Sequence, residues 1–403
     1  MISTKLIKGL CKNVLKRTFA TEKGEVTALY DFHVQKGGKI VNFGGFMLPV
    51  QYSDLSIVNS HLFTRANASL FDVSHMLQTE IRGKNCVEYF ETICTADIQG
   101  LKNSSGTLTV FTNEKGGILD DLIVTKVSED QLYVVSNAAR KDHDQKHILK
   151  ALENYKKANP AADIKITFLE PKDRSLLALQ GPKAAEALQK LTSTDLSSLY
   201  FMTSTVGDVA GVKDCRITRC GYTGEDGFEI SIPAEASTKV ANALLGSETV
   251  KLAGLGARDS LRLEAGLCLY GNDITTETTP VEAALTWLVQ KRRRELKNFP
   301  GAEVILNQIK DGSAVKRIGI ISESGPPARQ GAVILSEDEK ELGKITSGCP
   351  SPSISKNIAM GYVPISHSKV GTKLKLQIRN KLYDAIVSKM PFVPSRYYSA
   401  PKK

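Results

Sequence analysis

The hydrophobic pattern of this 403-residue chain changes at about residue 297, and the change separates two kinds of structure. Beyond that point the sequence consists of short alternating segments divided by Gly and Pro turns, such as VKRIGIIS, GAVILS, GKITSG and KLKLQIR. Short strands at this spacing are typical of a small antiparallel barrel or sandwich. We therefore predict a C-terminal antiparallel β-barrel domain over residues 297–403.

Upstream of this region, strands and helices alternate along the chain. LQTEIRG, TLTVFT, ILDDLIVTKV and LYVVSNA are predicted strands, and KNCVEYFETI has the spacing of a helix. An amphipathic helix then runs up to Pro160 and is followed by the strand IKITFLE. This order predicts a ferredoxin-like α+β unit. A second set follows, with Pro182 as the first residue of a helix and with CRITRC and FEISIP as strands around the turn GYTGEDG.

The first residues predict a targeting segment that is not part of the fold. Five basic residues precede the first acid, Glu22. On a helix the lysines of this segment lie on one side and apolar residues on the other, as in a mitochondrial transit peptide, so we predict a leader over residues 1–20 and a location in the mitochondrial matrix. A basic tail is the alternative. Because the leader supplies half of the formal net charge of +10, the charge gives little support for nucleic-acid binding.

Composition excludes several classes of protein. The length suits two or three domains, and 41% hydrophobic with 24% charged residues is ordinary for a globular protein. No apolar stretch approaches the roughly 18 to 20 residues of a membrane helix. The seven cysteines include no CxxC pair, so we expect neither a metal site nor a disulfide framework. GxGxxG, GxxxxGK[ST], HExxH and GxSxG are also missing from the sequence.

The segment GGILDDLIV places two adjacent carboxylates inside an apolar strand. Because the side chains of a strand alternate between its faces, Asp121 shares a face with Leu119 and Ile123, and Asp120 points the other way. Whichever face packs inward, one carboxylate lies among aliphatic side chains, where it is costly unless it is hydrogen-bonded or used in chemistry. A strand end with a capping aspartate is the structural alternative.

Two other residues have both a structural and a functional interpretation. Glu229 shares its face of the strand FEISIP with Ser231, opposite the apolar residues. It could face water, or it could accept two parallel hydrogen bonds from a ring NH and an exocyclic amine, as on the edge of a pterin or guanine. Arg258 in GARDSLRLEAG lies near the start of a predicted helix, where it could bind a ligand carboxylate or form a surface ion pair.

Further motifs have ordinary interpretations. His143 and His147 have the i, i+4 spacing of a metal pair, but no third ligand is evident, and a solvated helix face is expected. FDVSHM and Trp287 are predicted to belong to the core. The run KRRR, Lys291–Arg294, is interpreted as a solvated helix end, with a docking patch for an acidic partner as the alternative.

Taken together, several blocks resemble the aminomethyltransferase family, the T-proteins of the mitochondrial glycine cleavage system. They include GGKIVNFGGFMLPVQY, SLFDVSHMLQTEI, FTNEKGGILDDLIVT, TRCGYTGEDGFEISIP, ARDSLRLEAGLCLYGNDI and SKMPFVPSRYY, and the resemblance spans residues 30–398. It implies an α+β fold of three domains in a clover-like arrangement. Two of these are discontinuous α+β domains over residues 26–285, one of them ferredoxin-like, and the third is the C-terminal barrel. One departure is Phe46, where relatives often have Trp.

The resemblance also implies the reaction and its residues. In this family the lipoyl arm of a partner, H-protein, carries an aminomethyl group whose carbon is transferred to the co-substrate tetrahydrofolate. Ammonia, 5,10-methylenetetrahydrofolate and dihydrolipoyl H-protein result, and no metal takes part. Carried over residue by residue, the active-site aspartate is Asp121 and the pterin-binding glutamate is Glu229. The residues near the glutamyl tail of folate are Arg258 and Tyr397.

Two other protein types share a scaffold of this kind. A folate-dependent demethylating dehydrogenase of the dimethylglycine or sarcosine type needs a flavin domain, for which this chain has neither the fingerprint nor the length. Folate-binding assembly factors for iron–sulfur proteins typically have a KGCYxGQE-like motif where this chain has RCGYTGEDG. A basic RNA-binding protein would rest on charge that the leader largely explains.

Overall fold

The computed structural model describes residues 24–401, so the predicted transit peptide over residues 1–20 lies outside the described residues. Within this range the chain forms a two-stranded hairpin, a five-stranded sheet, a six-stranded sheet and a closed barrel. No helix of the described part has the length and apolar character needed to cross a membrane.

The first described segment contributes to a sheet that is formed mainly by later residues. Its elements are α1 (Tyr30–Gln35), β1 (Gly38–Phe43), β2 (Phe46–Tyr52), α2 (Ile57–Ala66) and β3 (Ala68–Asp72). Strands β1 and β2 pair as an antiparallel hairpin. Strand β3 is separate from this hairpin and pairs with strands that follow residue 170.

The predicted ferredoxin-like unit is present with one added strand. Its elements are β4 (Leu77–Arg82), α3 (Cys86–Glu91), β5 (Ser105–Thr112), β6 (Ile118–Ser128), β7 (Gln131–Ser136), α4 (Lys141–Ala158) and β8 (Lys165–Leu169). The sheet order is β5-β6-β7-β4-β8, which is the order of a ferredoxin-like unit extended by β5 at one edge. Helix α4 ends at Ala158, as expected from Pro160, because proline cannot continue a helix.

The second α+β unit contains the strand from the first segment. Its elements are β9 (Arg174–Gln180), α5 (Ala184–Gln189), β10 (Ser204–Val209), β11 (Val212–Thr218), β12 (Gly227–Pro233), α6 (Ser237–Leu245), β13 (Val250–Leu252) and α7 (Leu255–Glu264), and α8 (Lys291–Leu296) follows. The sheet order is β10-β11-β12-β9-β3-β13. Since β3 precedes the ferredoxin-like unit in sequence, the second α+β unit is discontinuous, and the ferredoxin-like unit is inserted between its parts.

Two details of this unit differ from the expectations. The helix predicted to begin at Pro182 begins at Ala184. Its preceding residues form a turn in which Lys183 N donates to Asn67 O and Ala184 N donates to Gly181 O. Strand β10 has no counterpart among the predicted strands, because its sequence STVGDV has too few alternating apolar residues to indicate one.

The predicted C-terminal barrel is confirmed. After α9 (Ala302–Asp311), its strands are β14 (Val315–Ser322), β15 (Val333–Leu335), β16 (Glu341–Ser351), β17 (Lys356–Pro364), β18 (Lys373–Ile378) and β19 (Lys381–Ser388). All pairs are antiparallel, and the barrel closes where β14 pairs with β19. Aliphatic side chains fill the interior, among them Ile318, Ile320, Ile334, Ile345, Leu374 and Leu376.

A buried ion pair joins α7 to the barrel. Arg262 is 2% exposed and Asp273 is fully buried, and Arg262 Nη1 lies 2.7 Å from Asp273 Oδ2. Asp273 also accepts hydrogen bonds from Ser347 and Thr346, both on β16. Asp259, three residues before Arg262 on the same helix, forms its ion pair at 2.8 Å from an exposed position. The buried pair therefore links the two parts, whereas the exposed one supports the helix locally.

Glu264, two residues further along α7, forms a second buried link. It accepts hydrogen bonds from His61 and Arg65 of α2 and from Ser351 and Ser353 of the barrel side. Burial would raise the pKa of Glu264, but the hydrogen bonds from His61, Ser351 and Ser353 lower it to about 2. The carboxylate is therefore ionised and joins three parts of the chain at one point.

We expect Asp273→Ala to lower the free energy of unfolding by about 3–5 kcal/mol, because Arg262 would remain buried without its counter-charge. The matched control Asp259→Ala removes the exposed partner of the same arginine and should cost less than about 1 kcal/mol. Urea unfolding followed by circular dichroism measures both values. Equal losses for the two variants would show that burial does not govern this pair.

Candidate active site

A cavity of about 730 Å³ lies where the two α+β units and the barrel meet. Its wall contains Asp121 from β6, Glu229 from β12, Arg258 from α7 and Tyr397 from the segment after the barrel. The fold therefore brings all four predicted site residues to one cavity, although they come from distant parts of the sequence.

Strand β6 divides its two aspartates as the alternation predicts. Asp121 and Ile123 line the cavity. Asp120, on the other face, is fully buried and is not part of the cavity wall. One strand thus presents one carboxyl group to the cavity and encloses the adjacent one in the protein.

Asn137, directly after β7, holds both aspartates. Its Nδ2 lies 2.8 Å from Asp121 Oδ1 and 2.9 Å from Asp120 Oδ1, and its backbone N donates to Asp120 Oδ2 at 3.0 Å. Asn137 also lines the cavity and was not among the predicted site residues. The sequence feature that could have indicated Asn137 is its position as a polar residue directly after the apolar strand segment LYVVS.

The carboxyl group of Asp121 titrates near neutral pH. Burial raises its pKa to about 7, the charge of Asp120 adds to the shift, and the hydrogen bond from Asn137 opposes it. A group with such a pKa can both accept and release a proton under physiological conditions. Asp121 therefore has the property of a general acid or base.

Glu229 and Arg258 lie close enough for each to affect the ionisation of the other. Burial raises the pKa of Glu229, whereas Arg258 and the Cys220 thiol lower it. The Arg258 guanidinium lies 4.7 Å from the ring centre of Tyr222, and its buried Nη1 has no hydrogen-bond partner in the described part of the chain. A buried donor without a partner is costly, so this part of the cavity is suited to a polar ligand.

The surroundings of Arg258 differ from the helix-start site considered in the sequence. Its backbone N donates to Gly254 O at 3.1 Å, so it offers no free NH group to a ligand. The surface ion pair is also absent, since Arg258 lines the cavity and has no carboxylate within salt-bridge distance among residues 24–401. Its guanidinium is thus the group available to a ligand.

Three residues predicted as core, His75, Met76 and Trp287, line the cavity. His75 is 3% exposed, and its Nδ1 has no partner among the described residues. Burial and the nearby Arg258 lower the pKa of His75 to about 4, so the ring is neutral at pH 7. Trp287 is 60% exposed, so its core prediction was wrong. The spacing of apolar residues cannot distinguish a tryptophan of the core from one at the edge of a cavity.

The segment after the barrel forms part of the cavity wall through Tyr397. The Tyr397 ring stacks on Phe201 with 4.1 Å between ring centres. The preceding residue, Arg396, places its Nη2 2.7 Å from Glu225 Oε1 and 3.2 Å from Arg65 O. These contacts attach the segment to the second α+β unit and fix the ring of Tyr397 in the cavity wall.

Two of the four basic residues at 291–294 are paired with carboxylates within the molecule. Arg293 is fully buried and lies 3.3 Å from Glu91, so it belongs neither to a solvated helix end nor to a docking patch. Arg292 pairs with Glu91 and, at 2.6 Å, with Asp97. Lys291 is exposed. The patch interpretation is therefore reduced to Lys291.

The histidine pair on α4 does not match the expected solvated face. His147 packs on Phe111 with 5.2 Å between ring centres, and its buried Nε2 has no partner within the described residues. His143 stacks against it at 6.0 Å. Over residues 24–401, no group of three His, Cys, Asp or Glu side chains is placed to hold a metal ion.

We expect Asp121→Asn to stabilise the folded protein above neutral pH. The folded-state pKa of about 7 exceeds the ordinary value of 3.8, so the favourable contribution of the protonated carboxyl is complete below pH 3.8 and is lost as pH rises towards 7. Asparagine does not ionise, so the variant keeps its stability as pH rises. Its free energy of unfolding should exceed that of the wild type by about 1–3 kcal/mol at pH 8, and the difference should vanish near pH 4. Urea unfolding across this range tests it, with exposed Asp130→Asn as control. A gain of equal size at every pH would contradict this explanation.

Comparisons with known proteins cover nearly the whole chain. Residues 29–293 match the family model described as the GCVT N-terminal domain, and residues 316–394 match the glycine cleavage T-protein C-terminal barrel domain. The mitochondrial aminomethyltransferase of Homo sapiens is 54% identical over 93% of this chain and 91% of its own. That of Flaveria trinervia is 52% identical over 96% of this chain and 94% of its own.

A solved structure agrees with these relatives. The crystal structure of the glycine cleavage system aminomethyltransferase T from Bartonella henselae aligns with a TM-score of 0.87 and 39% identity, covering 94% of this chain and 100% of that one. The mitochondrial relatives confirm the mitochondrial location predicted from the leader. The chain belongs to the aminomethyltransferase family, the T-proteins of the glycine cleavage system.

Proposed function

We propose that this enzyme transfers a one-carbon unit to tetrahydrofolate from the aminomethyl group on the lipoyl arm of H-protein. The products are ammonia, 5,10-methylenetetrahydrofolate and dihydrolipoyl H-protein. The observation that supports this proposal most directly is the composition of the central cavity. Asp121, whose pKa is raised to about 7, lines the cavity together with Glu229 and Arg258, and Arg258 Nη1 has no hydrogen-bond partner among the described residues.

The pair Glu229 and Arg258 supports binding of the pterin head group. One edge of a pterin offers an exocyclic amine and a ring NH, followed by a carbonyl oxygen. Glu229 can accept the two hydrogen bonds, and Arg258 Nη1 can donate to the carbonyl. We therefore assign Arg258 to the pterin, because it lies close to Glu229, instead of to the glutamyl tail that the resemblance suggested. Tyr397 remains the candidate contact for the tail.

Asp121 supports the chemical step. The transferred carbon loses its bonds to the amine nitrogen and to sulfur, and it gains bonds to N5 and N10 of the folate. The two protons lost from these folate nitrogens end on ammonia and on the thiol. A carboxylate near the nitrogens can stabilise the cationic character that develops at the carbon and can move one of these protons. The cavity itself positions the two reactants.

The partner that delivers the carbon has to reach this cavity. Trp287 is exposed while lining it, which supports an entrance for a flexible arm on that side. Lys291, on the next helix, is the exposed cation of the basic run and is available to an acidic partner. These two residues support the proposed approach of lipoylated H-protein.

We expect ammonia release from aminomethylated H-protein to require tetrahydrofolate. Asp121→Asn should lower turnover by about 10²-fold or more, because the variant lacks the charge and the transferable proton. Asp130→Asn alters an exposed aspartate in the turn between β6 and β7, outside the cavity wall, and is the matched control that should keep wild-type turnover. Near-wild-type turnover of Asp121→Asn would exclude the role.

We expect Glu229→Gln to weaken tetrahydrofolate binding by about 1.5–3 kcal/mol, since the amide loses one acceptor and the charge of the paired hydrogen bonds. Isothermal calorimetry measures the change. The control is Glu235→Gln, which alters an exposed residue just after the same strand. Unchanged folate affinity in Glu229→Gln would remove Glu229 from the binding site.

A further inference from the structure

Arg219 is a buried cation that has no part in the chemical step proposed for the cavity. It follows strand β11 directly, it is 3% exposed, and it does not belong to the cavity wall. Its guanidinium donates to both carboxylate oxygens of Asp226, with 2.9 Å between Arg219 Nε and Asp226 Oδ1. This two-fold pairing compensates the buried charge and fixes the plane of the guanidinium.

The same guanidinium fixes the segment that leads to Phe201. Arg219 Nη1 donates at 2.8 Å to the carbonyl oxygens of Leu196 and Leu199. On the other side of Phe201, the backbone N of Met202 donates to Arg219 O at 2.8 Å. Phe201 itself lines the cavity. Arg219 therefore holds the chain on both sides of this aromatic residue.

The guanidinium also holds the segment after the barrel through the ring of Tyr398. It lies 4.0 Å from the centre of that ring, where a cation is attracted to an aromatic face. Tyr398 O accepts a hydrogen bond from Phe201 N at 2.7 Å, and its ring stacks on Tyr200 with 5.4 Å between ring centres. Tyr398 does not line the cavity, but the adjacent residue, Tyr397, does.

We propose that Arg219 is a positioning residue that keeps Phe201 and Tyr397 stacked in the cavity wall and thereby forms the subsite for the glutamyl tail of tetrahydrofolate. The two stacked rings come from distant segments of the chain, and Arg219 contacts both segments next to the stack. Lysine could not replace it, because an ammonium group has neither the planar fork of donors nor a face that stacks. The inference rests on the proposed function, in which Tyr397 contacts the tail.

The test measures turnover against tetrahydrofolate concentration at saturating aminomethylated H-protein. Tyr398→Ala removes the ring at a position that is 40% exposed, so this variant should fold. Its KM for tetrahydrofolate should rise about tenfold while kcat changes by less than about twofold, because the tail subsite is displaced and Asp121 stays in place. Tyr398→Phe keeps the ring and should restore the wild-type KM.

Arg219→Lys tests the cation itself. It keeps the charge but loses the fork and the stacking face, so KM should rise by a similar factor. In a Tyr397→Ala background neither Arg219→Lys nor Tyr398→Ala should raise KM further, because the ring that they position is gone. The matched control is Arg216→Lys, which alters another buried arginine over a tyrosine ring, at 4.7 Å, and should keep the wild-type KM.

A tetrahydropterin without the glutamyl tail gives a second measurement. It should inhibit the wild type, Tyr398→Ala and Arg219→Lys equally, because it does not extend to Tyr397. A merely structural role for Arg219 would lower kcat and weaken this inhibition as well. That result, an unchanged KM in either single variant, or a further rise of KM in the Tyr397→Ala background would overturn the proposal.

The outcomes also separate this inference from the proposed function. If ammonia release by the wild type does not depend on tetrahydrofolate, the proposed function fails. If release depends on tetrahydrofolate and Tyr397→Ala raises KM, but Tyr398→Ala and Arg219→Lys do not, only the positioning role of Arg219 fails.

Discussion

The arrangement of the molecule depends on the buried charges of helix α7. Arg262 and Glu264 lie where water cannot solvate them, and an uncompensated charge in such a place costs several kcal/mol. Their partners come from α2, from the segment around Asp273 and from the barrel. These parts must therefore assemble around α7 in one arrangement. Because Arg258 belongs to the same helix, the requirement to pair the structural charges also fixes one wall of the cavity.

The cavity assigns different properties to two carboxyl groups by their surroundings. Burial raises the pKa of both Asp121 and Glu229. The nearby cation of Arg258 favours the charged form of Glu229. A charged carboxylate suits a residue that accepts hydrogen bonds from a ligand. Asp121 accepts a hydrogen bond from the Asn137 amide and lies next to the carboxyl group of Asp120. Its pKa is therefore close to neutral pH, which suits proton transfer. Environments that separate two acids in this way are a recurrent basis for acid–base catalysis.

Local pattern predicted much of the fold and part of the site. The alternation of β6 indicated that one of its aspartates would be enclosed, and the short segments beyond residue 297 indicated the barrel. Both signals operate over a few residues, where side-chain direction is fixed by the backbone. The prediction that four distant residues share one site came from the family resemblance, because no local pattern relates residues so far apart in sequence. These residues are Asp121, Glu229, Arg258 and Tyr397.

The expectations that failed concern contacts between distant segments. Arg293 was expected to be a solvated residue at a helix end, but it is buried and pairs with Glu91 of α3. Trp287 resembled a core residue, yet it lies exposed beside the cavity. Asn137 carries no motif, and its importance appears once β6 and β7 pair. In each case the partner is set by tertiary structure, which periodicity within one segment does not describe.

The position of β3 has a consequence for how the chain reaches its native state. Both of its neighbours, β9 and β13, lie beyond the complete ferredoxin-like unit in the sequence. A chain that emerges from its amino-terminal end, from a ribosome or through a translocation pore, therefore presents this apolar strand long before anything can pair with it. Such delayed long-range pairing slows folding and leaves an aggregation-prone edge uncovered, which is the circumstance in which a chaperone protects a nascent protein.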